Sequence, residues 1–381
     1  MEREVVITGI GLITALGSRE DTWRSVKSGR SGVRKFNLDN FEFTGACINR
    51  NIQKVFNLSD LIKTAIDESL IDSNINHANN KNRSICSTLS VSKPDFSSYS
   101  RSGNFLELFN SYSVKSSLQE LGFVSQVYEI SAACATGIYS AIKAYKLIKN
   151  GEVDICIAGA GEMPFNALYY SGFNNMGVLA QDGEPREMMK PFDRNRNGFV
   201  LGEGACVVIF EELESAVARG ASIYCKVAGG ISAFDPKGFL KFEKDSLFLT
   251  KALLGIVKDG GMDIGKNTYV HSHGTATAVN DIMETNSLKR AFNKEAYKLK
   301  ISSTKPMTGH LLGVSGILGV AFSSLALRDQ FVPPTINLSE TDPECDLNYT
   351  ALKGQKVKIE NTIAVSMGFG GHIGTMGLSR V

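Results

Sequence analysis

The stretch Ser131-Ala132-Ala133-Cys134-Ala135-Thr136-Gly137 places a cysteine among small residues, directly before an apolar helix pattern. Residues 126–130 alternate like a strand, and apolar residues between 138 and 148 recur at helical spacing. Unpaired N–H groups and the positive end of the helix dipole should therefore lie near the Cys134 sulfur. Such a position lowers the pKa of a thiol and predicts a nucleophile. The alternative is a small buried filler, because free cysteine is often buried.

Composition predicts an ordinary soluble globular chain with two or three units. The chain has 381 residues, 43% of them hydrophobic, and 41 basic against 39 acidic residues give a net charge of +2. So small a net charge indicates neither nucleic acid nor an anionic membrane as a partner. Seven scattered cysteines without a C-x-x-C pair indicate a reduced, cytoplasmic setting. We expect no signal peptide and no membrane span.

The N-terminal glycines raise the question of dinucleotide binding. Residues 4–8 predict a buried strand, Gly9-Ile10-Gly11 a tight turn, and a helix should begin near Arg19. The third glycine of the G-x-G-x-x-G fingerprint is Thr14 here, and no acidic residue follows a second strand at the right place. The fingerprint therefore fails, and the stretch is interpreted as a turn.

Strand and helix patterns alternate along the chain, and the strand–helix–strand order around Cys134, over residues 126–161, predicts parallel pairing in an α/β layer structure. The second half repeats the order of the first in outline, with a meeting point near residues 225–245. We therefore predict two similar α/β halves: residues 1–230, which carry the cysteine, and residues 231–381. Residues 72–82 and 92–103 are predicted as polar loops.

Two of the five histidines, His273 and His310, lie in glycine- and threonine-rich turns that resemble the surroundings of Cys134. If the two halves face each other, the three side chains converge. A thiolate with two imidazoles suits acyl transfer, in which the thiolate takes an acyl group from a thioester and the histidines manage charge on a second substrate. Donors aimed at an enolate or oxyanion would supply much of the rate.

Six motifs in this order resemble the β-ketoacyl-acyl carrier protein synthases of fatty acid and polyketide assembly, which have a thiolase-like fold. The motifs span residues 133–371 and are Ala133-Cys134-Ala135-Thr136-Gly137, Pro191-Phe192-Asp193 to Gly198, Gly202-Glu203-Gly204, His273-Gly274-Thr275-Ala276-Thr277 with Asn280-Asp281, Ser303-Thr304-Lys305 with Thr308-Gly309-His310, and Gly368-Phe369-Gly370-Gly371. The resemblance implies a layered α-β-α-β-α core of two similar halves.

The resemblance also implies roles for the motif residues. Cys134 would hold the acyl chain as a thioester, while His273 and His310 would assist malonyl decarboxylation and stabilise the enolate that attacks it. Two histidines are typical of the elongating branch of the family, since the initiating branch has asparagine in place of one. Lys305 matches the active-site lysine, which is concerned with charge and structure.

Further motif residues match substrate contacts. Thr275 and Thr277 correspond to threonines at the malonyl or pantetheine end, and Phe369 corresponds to a gating aromatic. The backbone amides of Cys134 and Phe369 would form the oxyanion hole. The implied partner is an acyl carrier protein whose phosphopantetheine bears the substrates, with no other cofactor. The implied assembly is a homodimer, or a heterodimer with a chain-length-factor-like subunit.

Other interpretations of these residues remain open. His271, His273 and His310 could form a metal site, but the usual thiolate or carboxylate ligands are missing, so we predict no metal. His271 and His273 would share one strand face. Asp281 and Glu284 lie one helical turn apart and could act as acid and base; a helix cap and a structural ion pair to Lys305 are the preferred interpretation.

The chain departs from the family pattern in several places. Residues 70–122 are hard to match, so the acyl chain length and the pathway cannot be inferred from the sequence. His372-Ile373 replaces the usual threonine-asparagine, and His271 replaces an asparagine or glutamate. Gln181 stands roughly where the family often has a carrier-docking arginine, although Arg186 and Lys190 are nearby.

Three functions are therefore compared. A condensing enzyme is favoured, because a non-catalytic chain-length-factor-like subunit would usually lack the cysteine. An acyltransferase or malonyl decarboxylase variant is the third possibility, and the replacements at positions 271 and 372 keep it open.

Overall fold

The computed structural model describes residues 3–49, 57–75, 83–122, 126–237 and 246–381. Its strands are β1 (Val5–Thr14), β2 (Arg34–Leu38), β3 (Phe41–Ala46), β4 (Ile85–Ser90), β5 (Gln126–Val127), β6 (Ile155–Glu162), β7 (Leu201–Gly202), β8 (Gly204–Glu212), β9 (Cys225–Phe234), β10 (Thr268–His271), β11 (Lys300–Ser302), β12 (Phe331–Val332), β13 (Gln355–Lys356), β14 (Asn361–Gly368) and β15 (His372–Ser379). Its α-helices are α1 (Arg19–Lys27), α2 (Leu58–Ser73), α3 (Phe96–Ser102), α4 (Asn110–Glu120), α5 (Thr136–Lys149), α6 (Ala167–Asn175), α7 (Leu213–Ala218), α8 (Leu247–Gly260), α9 (Ala278–Phe292), α10 (Lys305–Thr308) and α11 (Ser315–Asp329).

The main sheet has the strand order β11-β10-β14-β15-β9-β1-β8-β6-β4-β5 in the described residues. Outward from its centre, β1-β8-β6-β4-β5 on one side matches β9-β15-β14-β10-β11 on the other. In both series the first two neighbouring pairs are antiparallel and the last two are parallel. The sheet therefore consists of two five-stranded sections built on the same plan.

The two sections are held together mainly by helices, since β1 and β9 pair only at Val6–Lys226 and Ile7–Cys225. Helices α5 and α11 contact each other and strands of both sections, so they form a central layer. Helix α2 packs against β1 and β8 on one outer face of the fold, and α8 packs against β9 and β15 on the other outer face. The order helix, sheet, helix, sheet, helix confirms the layered thiolase-like fold expected from the sequence.

The turn predicted at Gly9-Ile10-Gly11 is wrong, because β1 continues without interruption to Thr14. The glycines serve close packing. A methyl group on Gly11 would lie 2.0 Å from the carbonyl oxygen of Ala65, so α2 rests directly on the strand at this point. In the local sequence, a glycine that allows a tight turn looks the same as a glycine that lets a helix pack closely against a strand.

Most other elements lie where the sequence predicts them, with differences at their ends. The polar loop predicted over residues 92–103 is wrong in part, because residues 96–102 form helix α3, whose start is capped by Asp95 accepting the Ser98 N–H. Only Gln126 and Val127 of the predicted strand 126–130 are paired, and residues 105–120 form a 3₁₀ turn followed by α4. Residues 76–82 of the predicted polar loop and residues 238–245 of the predicted meeting region lie outside the described residues. The division at residue 230 stays a prediction, and β9 runs across it.

The segment Leu312–Asp329 is long and apolar enough to cross a membrane by length and composition. In this fold 89% of it is buried inside the protein. Every residue of α11 from Ser315 to Leu327 is buried, because both sheet sections and α5 surround the helix. Its apolar character is thus explained by its place in the central layer.

Candidate active site

Cys134 lies in a strained turn at the start of α5. Ala133 has a φ of +48°, in the left-handed region that non-glycine residues seldom adopt, and a short 3₁₀ turn leads into the helix. Thr136 closes the turn: its Oγ1 accepts the Ala132 N–H at 2.9 Å and donates to the Ala133 carbonyl at 2.8 Å. Cys134 is only 6% exposed, and its side chain faces a cavity.

The end of β14 packs against this turn. Ser366 Oγ donates to the Cys134 carbonyl at 3.1 Å. A methyl group on Gly368 would come within 3.0 Å of the Cys134 nitrogen, so only glycine permits this approach. Phe369 follows immediately and lines the same cavity as Cys134. The backbone of Phe369 is thereby brought close to the Cys134 turn.

The loop after β10 carries His273 and is held by two buried carboxylates from α9. Glu284 accepts the N–H groups of His273 and Gly274, at 2.7 and 2.9 Å. Asp281 accepts the N–H of Thr275 at 3.1 Å. Both carboxylates therefore hold the loop, and neither acts as the predicted helix cap, because the cap residue of α9 is Thr277 and it has no side-chain cap hydrogen bond.

Asp281 also joins this loop to the segment that precedes it in sequence. It accepts the N–H of Phe192 at 2.8 Å and lies 3.7 Å from the Arg196 guanidinium, measured from Oδ2 to Nε. The preferred ion partner from the sequence was Lys305. Instead, Lys305 Nζ donates to the backbone carbonyl of His273.

His310 reaches the same place from the turn after α10. Its Nδ1 lies 2.8 Å from Ser315 Oγ, its backbone N–H donates to Val200 at 2.7 Å, and its ring packs edge-on against Phe199. The centroids of the His273 and His310 rings are 5.7 Å apart at an interplanar angle of 83°. The structure therefore brings both histidines together as neighbours.

A cavity of about 420 Å³ contains most of the predicted site residues. Its lining includes Cys134, His273, Thr275, Thr277, His310 and Phe369. Lys305 is not among the lining residues; it is buried behind His273. The cavity also has an apolar wall, which is formed by Met176, Val178, Phe199 and Met367. No motif identified that wall, because its residues come from separate segments.

Burial controls the ionisation of the three central groups. It raises the pKa of the Cys134 thiol to about 11, although Lys93 and Lys305 pull it down. Burial therefore opposes the lowered pKa predicted from the helix start, because the cost of burying a thiolate outweighs these favourable charges. Burial also holds the pKa values of His273 and His310 well below the usual range. The positive charge of Lys305 lowers both pKa values further. Both imidazoles are neutral at neutral pH.

Lys305 and Glu284 are buried near each other. Burial lowers the pKa of the Lys305 ammonium and raises that of the Glu284 carboxyl, while each charge favours the other. Their opposite charges partly offset the cost of burial. The Lys305 and Glu284 side chains lie behind His273, and their charges contribute to the electrostatic potential at its imidazole ring.

His271 does not face the cavity. Strand β10 ends at His271, so the alternation that would have placed His271 and His273 on one face stops there. The His271 Nε2 lies 3.0 Å from Thr304 Oγ1, and the ring packs near Phe322 of α11. Throughout the described ranges, no three His, Cys, Asp or Glu side chains are grouped so that they could hold a metal ion.

His372 lies beside the Phe369 loop and outside the cavity lining. Its ring packs edge-on against Tyr139 and Phe234, and partial burial lowers its pKa. The replacement at this position therefore alters the support of the loop that carries Phe369.

Comparison with known proteins gives a consistent result. Residues 61–216 match the model of the β-ketoacyl synthase N-terminal domain, and residues 227–339 match that of the C-terminal domain. The 3-oxoacyl-[acyl-carrier-protein] synthase 2 of Coxiella burnetii is 32% identical over 100% of this chain and 99% of its own length. The Synechocystis protein of the same name is 39% identical over 65% of this chain and 60% of its own length.

A similar solved structure comes from the complex of a type II polyketide synthase acyl carrier protein with its ketosynthase bound to a hexaketide. One of its chains aligns with a TM-score of 0.91 and 26% identity, covering 100% of both chains. Sequence, domain order and fold agree, and the chain therefore belongs to the β-ketoacyl synthase family, whose members are acyltransferases that form carbon–carbon bonds.

Proposed function

We propose that the protein condenses a malonyl group on an acyl carrier protein with an acyl group on Cys134, releasing carbon dioxide. The observation that carries this proposal is the convergence of Cys134, His273 and His310 on one cavity. The three residues lie on separate segments, so their meeting is a property of the fold. Neutral imidazoles facing a buried thiol match the needs of thioester chemistry.

In the first step, Cys134 Sγ attacks the carbonyl of the acyl thioester. The carrier's sulfur leaves, and the proton of the cysteine thiol ends on it. The backbone amides of Cys134 and Phe369 would stabilise the tetrahedral oxyanion, since β14 packs against the cysteine turn. The apolar wall around Phe199 and Met367 would receive the acyl chain.

In the second step, the malonyl carboxylate leaves as carbon dioxide, and its bonding electrons form an enolate on the remaining thioester. His273 and His310 would each donate a hydrogen bond to the enolate oxygen. For His310 we assign the proton to Nε2, with Ser315 Oγ donating to Nδ1. Imidazoles kept neutral by burial can donate such bonds across the neutral pH range.

In the third step, the enolate carbon attacks the carbonyl of the acyl-cysteine. A carbon–carbon bond forms, the Cys134 sulfur leaves, and the β-ketoacyl product remains on the carrier. The sulfur regains a proton before the next cycle, which its raised pKa favours. This chemistry requires no group beyond the phosphopantetheine of the carrier.

Three further residues would support these steps. Lys305 would act on His273, because its ammonium binds the His273 carbonyl. Thr275 and Thr277 lie in the cavity wall with their hydroxyl oxygens 3.0 Å apart, and they would contact the malonyl or pantetheine end.

An acyl carrier protein would dock at the mouth of the cavity. The exposed Met176 lines the cavity, and nearby Gln181 donates to Asn174 at 3.0 Å. Arg186 is exposed and Lys190 partly so, and both follow this segment in sequence. They are the proposed basic contacts in place of an arginine at position 181.

The protein would act as a dimer, either with itself or with a chain-length-factor-like partner. Among the residues that the structure describes, strand β5 is the edge of the main sheet, with β4 on one side. The apolar side chains of Phe105, Leu106 and Phe109 are each more than half exposed. An open edge with exposed aromatic residues favours association. The solution mass of the wild type and of the Phe105→Ser/Phe109→Ser variant would test this. A cytoplasmic location stays a prediction.

The deciding experiment incubates the purified protein with acyl- and malonyl-carrier protein and follows mass on Cys134, carbon dioxide and β-ketoacyl product. We expect a thioester on Cys134 and a condensed product, and neither with Cys134→Ala. An acyl-enzyme and carbon dioxide without product would favour the acyltransferase or decarboxylase alternative. No acyl-enzyme, under conditions in which a known synthase loads, would overturn the proposal and favour a non-catalytic subunit.

A further inference from the structure

The ends of two parallel strands bring a cation and a carboxylate together outside the cavity. Strands β4 and β6 pair in register up to Ser90 and Ala160. Just beyond β4, the Ser92 N–H donates to Glu162 Oε1 at 2.8 Å, and Lys93 Nζ lies 3.6 Å from Glu162 Oε2. The Glu162 side chain is 2% exposed and that of Lys93 is 22% exposed. The ion pair is therefore partly shielded from water.

The carboxylate lies against the start of the helix that carries the nucleophile. A methyl group built on Gly313 would be 2.6 Å from Glu162 Oε1 and 3.3 Å from the Cβ of Thr136. Glu162 and the first turn of α5 therefore face the same glycine. Neither Lys93 nor Glu162 lines the cavity, so a substrate need not touch them.

The ammonium reaches the catalytic residues from another direction. Lys93 Nζ lies 5.7 Å from the centroid of the Phe173 ring, and Phe173 packs edge-on against Phe199 at 6.0 Å. Phe199 in turn packs against His310 at 4.9 Å. Lys93 is thus separated from His310 by two aromatic rings, which do not screen charge as water does.

Five titratable groups face or surround Cys134. They are Lys93 beyond β4, Glu162 at the end of β6, His273 after β10, Lys305 on α10, and His310 after α10. Among these groups Lys93 is the strongest in lowering the pKa of the thiol, ahead of Lys305, while Glu162 raises it. Both imidazoles are neutral, so the two lysines and Glu162 dominate the field.

We propose that Lys93 and Glu162 are positioning residues that act on the Cys134 sulfur through their opposite charges. Lys93 promotes formation of the thiolate, and Glu162 opposes it. The pair sets the reactivity of the nucleophile from behind the cavity wall and leaves the substrate contacts unchanged. The proposal rests only on the part of the proposed function that makes Cys134 the nucleophile.

The test measures alkylation of Cys134 by iodoacetamide in the full chain, quantified by peptide mass spectrometry between pH 6 and 10. Lys93→Met should slow labelling at a given pH, and its pH profile should move to higher pH. Glu162→Gln should speed labelling and move the profile to lower pH. We expect a change of roughly three- to tenfold each way, because one pKa unit is tenfold in thiolate.

Two further variants separate charge from structure. The Lys93→Met/Glu162→Gln double variant loses both charges and should return toward the wild-type rate. Lys289→Met is the matched control, because Lys289 also pairs with a carboxylate, Asp346, and lies over a ring, Tyr297, far along the chain. It should label like the wild type.

The proposal requires Lys93→Met and Glu162→Gln to change the labelling rate of Cys134 in opposite directions. Slowing in both single variants would show that the pair only supports the fold, and no change in either would show that its field does not reach the sulfur; each result overturns the proposal. If Lys93→Met does not fold, Glu162→Gln still decides, since slower or unchanged labelling contradicts the proposal. The readout needs no acyl substrate, so failure of the condensation assay leaves this test intact.

Discussion

The turns that begin α5 and α11 share a backbone plan and differ at the residue that follows the positive φ. Each has a residue with positive φ, Ala133 at +48° and Leu312 at +47°, and then a short 3₁₀ turn and a long central helix. The next residue is Cys134 in the first turn and Gly313 in the second. The fold therefore offers two equivalent positions, and only the first of them carries a side chain.

The difference follows from what faces each turn. Cys134 faces the cavity, whereas a side chain on Gly313 would strike the carboxylate of Glu162. The second half instead supplies His310, just before its turn, and His273 from the loop after β10. Under the proposed function, the two sheet sections would divide the work between nucleophile and hydrogen-bond donors.

The largest expected effect comes from removing the contribution of the second half. His273→Ala and His310→Ala should each reduce condensation by about 10²–10⁴-fold, the range for a positioned donor or proton-transfer group. Transfer of the acyl group to Cys134 should fall less, because the nucleophile and its amides remain. Separate assays of acyl loading and product formation check this. Equal loss in both assays would contradict the division of work.

The pH dependence of Cys134 tests whether burial or the helix start dominates at the first turn. With a pKa of about 11, the thiolate fraction should rise about tenfold per pH unit through pH 10. Labelling by iodoacetamide should therefore increase by roughly 100-fold between pH 8 and 10. A plateau below pH 9 would instead show that the helix start overcomes burial.

Adding a methyl group at Gly313 of the second turn should destabilise the protein. Gly313→Ala places a methyl group against Glu162, and overpacking of this kind costs about 1–3 kcal/mol. Gly172→Ala is the matched control, since a methyl group there meets no atom within 4 Å and the site is helical. Urea unfolding midpoints should fall for the first variant and not for the second. A stable Gly313→Ala protein would remove this explanation of why only the first turn carries a side chain at this position.

The smallest effect concerns the positive φ that the two turns share. Ala133→Gly should relieve left-handed strain of about 1–2 kcal/mol and lose part of that gain to the greater freedom of the unfolded chain. A net stabilisation of at most about 1 kcal/mol is expected in the same unfolding experiment. A clear loss of stability would show that packing of the Ala133 methyl group outweighs the strain.

The sequence by itself determined the local features of this protein. Residue periodicity located the long helices, and the motifs around Cys134, His273 and His310 identified the family and the candidate site. These features are set by neighbours in the chain, since helix faces and turns depend on nearby spacing.

The course of β1, the pKa of Cys134 and the contacts of Glu162 were fixed by the tertiary structure, because they depend on atoms that lie far apart in sequence. Strand β1 continues to Thr14 because it pairs with β8, and Gly11 lets Ala65 of α2 approach it. The raised pKa of Cys134 follows from burial by many segments, and Glu162 contacts a loop residue 70 positions away. Burial and electric field are sums over everything that folding brings near a group, so one sequence could name the nucleophile but not its ionisation state.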